Sequence, residues 1–364
     1  MKNKRFDLIF NFILLITLFS CNDSEETDYI LVEKTPVILN LENVPYPKLS
    51  DYKFFQGSIK DQNPSYGVIP YEPTSELFTD YAEKNRFLWM PEGTKASYSS
   101  DFKSLNLPIG AALIKTFYYN NVQPSNTTKI IETRVMIRKS TGWIFAEYVW
   151  NDEQTEATLQ NSGSSIPISW KDINSIIQTI DYQIPDLNQC LTCHSNNQVV
   201  TPIGIKPQSL NSNFSYADGT KNQLQKLIDF GYLENNLPSN IVSVVNYNDT
   251  SKSLDLRVRS YFDINCAHCH QDGGNAAYVP QLRLSFNETA NLAKMGVCVS
   301  ALTEFPGFPR GKLVNPGNIA ESYIYFSMNT DLSLNRMPRI GRTIVHQEGI
   351  QLVEQWINSL PACE

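Results

Sequence analysis

Two short runs constrain this chain more than anything else in it: Cys190-Leu191-Thr192-Cys193-His194 and Cys266-Ala267-His268-Cys269-His270. Each has the form C-x-x-C-H, and the motif positions take four of 7 cysteines and two of 4 histidines. The spacing suits one porphyrin per run. Two thiols, two residues apart, can each add across one vinyl group, and the next histidine is then held over the iron as an axial ligand. The four thiols could instead supply a Cys₄ zinc tetrahedron. Zinc does not require a histidine behind either knuckle, yet both runs carry one in the same register. The expectation is two covalently attached haem c groups on Cys190, Cys193, Cys266 and Cys269, with iron bound by His194 and His270.

The start of the chain indicates where such chemistry takes place. Lys2, Lys4 and Arg5 precede an apolar run over residues 8–19 that Asn11 and Thr17 interrupt. The run is short for a membrane span and fits a signal peptide. It ends at Leu18-Phe19-Ser20-Cys21, similar to a bacterial lipoprotein signal in which Cys21 takes the lipid. Residues 1–20 are read as that signal and residues 21–45 as a polar tether, which predicts a lipoprotein anchored on the periplasmic side of the cell envelope. Thiolate clusters oxidise readily outside the cytoplasm, which again favours haem over zinc. A formal charge of −7 with no basic tract argues against nucleic acid as a partner.

Residues 46–180 read as β-rich. Strands are expected over residues 111–119, 130–138 and 143–150, with a turn at Lys139-Ser140-Thr141-Gly142. In the middle strand Ile131, Thr133, Val135 and Ile137 fall on one face and Glu132, Arg134 and Arg138 on the other. This predicts a sandwich-like antiparallel domain with one wet face. Charged residues over 147–156 are read as part of a solvated face.

Residues 181–252 are taken as the first haem-binding segment and residues 253–364 as a cytochrome c domain holding the second haem. Helices are expected over residues 220–231, over 254–265 with Ser253 as cap, and over 347–360. The fold class that follows is α+β and multidomain: an N-terminal antiparallel β domain, then a mostly α-helical dihaem region. Met337, in Met337-Pro338, is the expected distal ligand of the second haem, with Met328 as its rival. No methionine lies between His194 and Cys266, and Cys190 follows an extended segment rather than a helix. The distal ligand of the first haem is therefore sought in His346 or Met328, with Met295 and His268 as further candidates. Cys298 and Cys363 remain, as two free thiols or as a disulfide contributing about 4 kcal/mol by loop entropy.

Taken in order, several segments resemble a family of exported bacterial dihaem c-type cytochromes, some members of which are fused to a PQQ-dependent sugar dehydrogenase domain. The resemblance is carried by residues 77–84, Glu132-Thr133-Arg134, residues 148–157, Gln189 to His194, Tyr216-Ala217-Asp218-Gly219, Asn265 to His270, Pro316-Gly317 and residues 337–342. It implies haem binding and electron transfer with a redox partner protein, such as a quinoprotein dehydrogenase. Two functions from different classes follow. One is an electron carrier passing electrons between a periplasmic donor and acceptor. The other is a dihaem peroxidase-like enzyme with one open iron, for which no residue assigned from sequence acts on peroxide.

Overall fold

The computed structural model describes residues 34–301, 308 and 311–364. The signal, Cys21 and most of the tether lie outside the described residues. From Thr35 to Glu364 the chain forms one compact unit.

The dominant element is an eight-stranded antiparallel sheet: β1 (Ile69–Pro70), β2 (Glu83–Trp89), β3 (Ala112–Val122), β4 (Thr127–Lys139), β5 (Gly142–Trp150), β6 (Ala157–Leu159), β7 (Ser162–Lys171) and β8 (Ile177–Asp186). Strands β1 to β6 pair in chain order, while β7 pairs with β8 and meets β3 at Val122 and Trp170. The three strands expected from alternation are β3, β4 and β5, each somewhat longer than read. Lys139 pairs with Gly142 across the expected turn. Gly142, at φ +130°, takes a backbone conformation that a side chain would strain.

One face of the sheet presents Phe87, Trp89, Ile114, Val135, Ile137, Ala146, Tyr148 and Trp150, covered by Val44, Leu49, Tyr52, Phe54 and Val68. Val37, Leu39 and Leu41 pack on the same core, so the last part of the stretch read as tether is structured. The other face is covered in two patches. Leu88, Leu113 and Met136 meet Ile205, Leu210, Leu224, Leu227 and Leu233. Phe117, Tyr119 and Ile131 meet Ile168, Trp170, Ile180, Tyr182 and Ile184 from the β7–β8 hairpin.

Three expectations are corrected here. The β region is one sheet with both faces covered, not a sandwich with a wet face: Glu132 is 0% exposed and Glu147, read as solvated, 2%. The sheet also runs past residue 180, because β8 ends at Asp186. Finally, the second half is not mostly α-helical and does not form a separate helical dihaem region.

Six α-helices occur among the described residues: α1 (Leu187–His194), α2 (Pro207–Leu210), α3 (Gln223–Asp229), α4 (Leu254–Asn265), α5 (Tyr323–Met328) and α6 (Gln347–Ser359). Between α4 and α5 the chain carries Gly273, Gly274, Pro280, Gly296, Gly311, Pro316 and Gly317, which interrupt helices. It buries Leu282, Leu284, Met295, Val297, Leu313 and Val314 from turns and isolated bridges instead. Helices α4 and α6 do fall where periodicity put them. Ser253 Oγ accepts from Leu256 N at the start of α4, and Phe262 meets Trp356 edge to face with centroids 6.0 Å apart. Residues 220–222, expected as helix, belong to a strand hairpin (Asn213–Tyr216 with Gly219–Asn222) ahead of α3.

Candidate cofactor site

The second C-x-x-C-H run begins where α4 ends, with Cys266 as its C-cap residue. The following turn is tight: Cys269 N and His270 N both donate to Cys266 O, at 3.1 and 2.9 Å. Asp263, one turn earlier and 3% exposed, fixes the helix end. Its carboxylate accepts from Lys206 Nζ at 3.1 Å, Gln208 Nε2 at 3.0 Å and Phe286 N at 3.0 Å. Gly274 lies against the run so closely that a Cβ there would meet Cys269 O at 2.5 Å, so this position needs glycine.

A cavity of about 530 Å³ opens beside this turn. Its wall includes Cys266, Cys269, His270, Met328 and Met337, with Phe78, Tyr261, Leu282, Leu284, Ile324 and Ile350 among the apolar lining. Burial pushes the Cys266 thiol up to about 12 and His270 down to about 4, which leaves a neutral thiol and a neutral imidazole at pH 7. His270 Nδ1 is buried without a hydrogen-bond partner.

The loop bearing Met337 is held by a residue that sequence reasoning passed over. Asp80 accepts from Thr343 N at 2.7 Å, Thr343 Oγ1 at 2.9 Å and Ile344 N at 3.1 Å, while its own carbonyl accepts from Tyr119 OH at 2.7 Å. It thereby ties β3 to the Met337 loop. Asp80 and Tyr81 sit at φ +47° and +61°, a local cost that these bonds offset. The only signal for Asp80 was its place in the 77–84 segment of the resemblance.

The extended segment expected ahead of Cys190 is the end of β8, and the first run itself lies within α1. Strand β8 leads directly into the helix, whose start is a capping box: Gln189 N donates to Asp186 Oδ1 at 2.8 Å and Asp186 N to Gln189 Oε1 at 2.9 Å. Cys190 is buried, and burial pushes its thiol up to about 12. His194 meets Phe145 of β5 edge to face, centroids 5.1 Å apart. Its Nδ1 is 2.9 Å from Thr201 O, and burial holds the ring neutral with its pKa down to about 4. A neutral imidazole that donates from Nδ1 to a carbonyl keeps the Nε2 lone pair free for a metal.

The two runs are far apart in sequence and adjacent in space. Ligand atoms of Cys193, His268 and Cys269 lie within 4.8 Å of one another. Asn275 Nδ2 donates to Thr192 O at 2.8 Å, Asn197 N to Gly273 O at 2.8 Å and Asn196 Nδ2 to Asp272 O at 3.0 Å. The thiol of Cys269 supports negative charge on Cys193 and pulls its pKa down to about 4. This cluster does not build the Cys₄ tetrahedron weighed above. Each knuckle contributes one thiol, and no further His, Cys, Asp or Glu among the described residues joins them.

His346 and Met328, the candidates for the first haem, both line the cavity of the second run. His346 stacks on Phe78 at 4.1 Å with its Nδ1 3.1 Å from Tyr261 OH. Met295 is a fully buried core residue. Cys298 and Cys363 form a disulfide with Cα atoms 5.6 Å apart. Comparison with known proteins gives no match to a family model, to a curated protein or to a solved structure.

Proposed function

We propose that this chain is an exported c-type cytochrome that carries electrons through two covalently bound haems, one on each C-x-x-C-H run. The observation that carries the reading is the convergence at the second run, where both thiols, a neutral imidazole and two thioethers border one largely apolar cavity. That donor set suits a porphyrin better than a hydrated ion, and the volume is ordinary for a cofactor cavity. Haem, when bound, supplies a one-electron iron couple.

The protein's own part is positional. Each thiol S–H can add across a vinyl group with no by-product, and burial keeps Cys266 and Cys190 as neutral thiols until then. Thr201 O orients His194. Met337 or Met328 would supply a thioether ligand to a group held there, and Leu282, Leu284 and Ile350 line the same cavity. Because the two runs abut through Cys193, His268 and Cys269, the groups they hold would be neighbours, as relay between two centres requires.

The test is the mass and optical spectrum of protein matured in a host able to attach haem c. A mass increased by two haems, with low-spin iron that ignores carbon monoxide, supports the carrier. A high-spin component that disappears on replacing His194 supports the peroxidase-like alternative. An unmodified chain, or bound zinc in its place, overturns both.

A further inference from the structure

The second run carries a histidine that the haem reading leaves without a role. His268 lies between the two thiols of its run in sequence, at a position that neither attachment nor axial ligation requires. The fold nevertheless brings it to Cys269 of its own run and Cys193 of the first, with one ligand atom of each within 4.8 Å of the other two. One of its ring nitrogens, Nδ1, is buried without a hydrogen-bond partner. A buried polar atom left unmet costs about 1–3 kcal/mol, so its presence calls for something to meet it.

The three groups are held in place by contacts within and between the runs. Asn275 Nδ2 donates to Thr192 O, which also lies 3.6 Å from Cys269 Sγ. Ala276 N donates to Cys269 O at 3.0 Å, and Gln271 Nε2 to His268 O at 3.1 Å. Cys193, His268 and Cys269 all line the cavity of about 530 Å³, which gives a small ion a way in. Zinc–sulfur bonds of about 2.3 Å set tetrahedral ligand atoms about 3.8 Å apart, so the side chains need to close by about 1 Å at most. Two thiolates and an imidazole are donors that select zinc over magnesium or calcium.

We propose that the chain without haem binds one zinc ion between the two runs, through Cys193, Cys269 and His268. The step is ligand exchange: each thiol releases its proton to solvent as its sulfur bonds the ion, and nothing is oxidised or reduced. Three protein ligands leave the fourth position to water, unlike the closed four-ligand set of a structural zinc. One ion takes one thiol from each run and so blocks attachment at both. A sulfur that has become a thioether no longer offers a thiolate, so zinc and haem exclude one another at Cys193 and Cys269. The inference goes beyond the haem reading and does not depend on it.

The experiment uses the full chain from a host that does not attach haem c, with its free thiols reduced, titrated with Zn²⁺. Native mass should show one ion per chain. X-ray absorption should show two sulfur ligands, with nitrogen and oxygen completing the shell. His268→Ala should weaken zinc binding about a hundredfold, whereas Cys190→Ala/Cys266→Ala should leave it unchanged. The absorption measurement needs only the wild type, so it decides the matter even where a variant does not fold. Two ions per chain, four sulfur ligands, a shell without sulfur, or equal loss in Cys190→Ala/Cys266→Ala overturns the site. A chain that does not fold without haem cannot hold the three ligands together and overturns it as well. Two haems from a competent host, beside a haem-free chain that ignores zinc, sink the site and leave the haem reading standing. Zinc without haem in that competent host does the reverse.

Discussion

The two C-x-x-C-H runs share a pattern and meet at one cavity wall, but different elements carry them. The second sits at the end of a twelve-residue helix, against an apolar cavity with thioethers on its wall. The first is an eight-residue helix at the end of a sheet strand, with His194 packed on Phe145. Identical covalent chemistry would therefore meet two environments. A thioether in an apolar site raises an iron potential, whereas nearby ionised groups tune it by their own charge. On the haem reading, the motif would determine attachment and the neighbouring fold the potential. The difference also separates how firmly each run is anchored, and that is open to mutation.

The largest effect is expected at the second run. Asp263 is buried and balances Lys206, so Asp263→Ala leaves a largely buried ammonium without its partner. Removing one member of such a pair costs about 4 kcal/mol. Thermal unfolding should show that loss, and hydrogen exchange should place it at α4 and the second run. If exchange instead rises equally over Leu187–His194, the two runs are one cooperative unit and the contrast in anchoring fails.

Acidity should weaken both runs, because burial holds His194 and His270 as low as His346. Burial pushes His346 in the second cavity down to about 4, with Lys84 and Arg342 adding to the shift and Glu348 opposing it. The unfolded chain, with an ordinary histidine pKa near 6.5, then binds more protons than the folded one between pH 4 and 6.5. Stability is therefore full above about pH 6.5 and falls as pH drops toward 4. This histidine contributes about 3 kcal/mol of that fall. His346→Gln should flatten the limb relative to wild type when unfolding is followed at pH 7 and pH 5. An unchanged slope means that another group governs it.

A smaller loss, about 2 kcal/mol, is expected from Asp80→Asn, because the amide keeps one acceptor oxygen where the carboxylate used two. Exchange at Thr343 and Ile344 should speed up, since both amides donate to that carboxylate. If the Met337 loop keeps its protection, Asp80 is not what fixes it.

How much of this was legible follows physical lines. Period-two alternation revealed β3, β4 and β5, and a serine cap with helical spacing revealed α4. Both signals are local. The β7–β8 hairpin was missed because Ser162–Lys171 carries serines where alternation wants apolar residues. The segment between Cys266 and α5 buries single apolar residues from turns, which have no period to read. That Arg86, Lys115 and Arg134 lie side by side appears only once strand register is known, and Arg134, taken on its own strand, falls on the face expected to be wet. The adjacency of the two runs was equally hidden, because asparagines on loops create it: Asn196, Asn197 and Asn275. The cysteine spacings pointed to both runs, while which methionines and histidines share a cavity with them depended on tertiary contacts.

The smallest effect belongs to the first run and tests the comparison most finely. Asp186 caps α1 by accepting from Gln189 N, and the reciprocal bond from Asp186 N to Gln189 Oε1 needs only the backbone of residue 186. Asp186→Ala therefore removes half of a capping box at a partly exposed helix end, a loss of about 1 kcal/mol. Global unfolding should barely move, because the β7–β8 core beneath is untouched. Exchange over Leu187–His194 should rise while α4 stays protected, so the first run would loosen without the second. Should α4 exchange faster as well, the contacts through Cys193, His268 and Cys269 transmit strain between the runs. Their different anchoring would then be a property of the separate helices that the assembled pair does not keep.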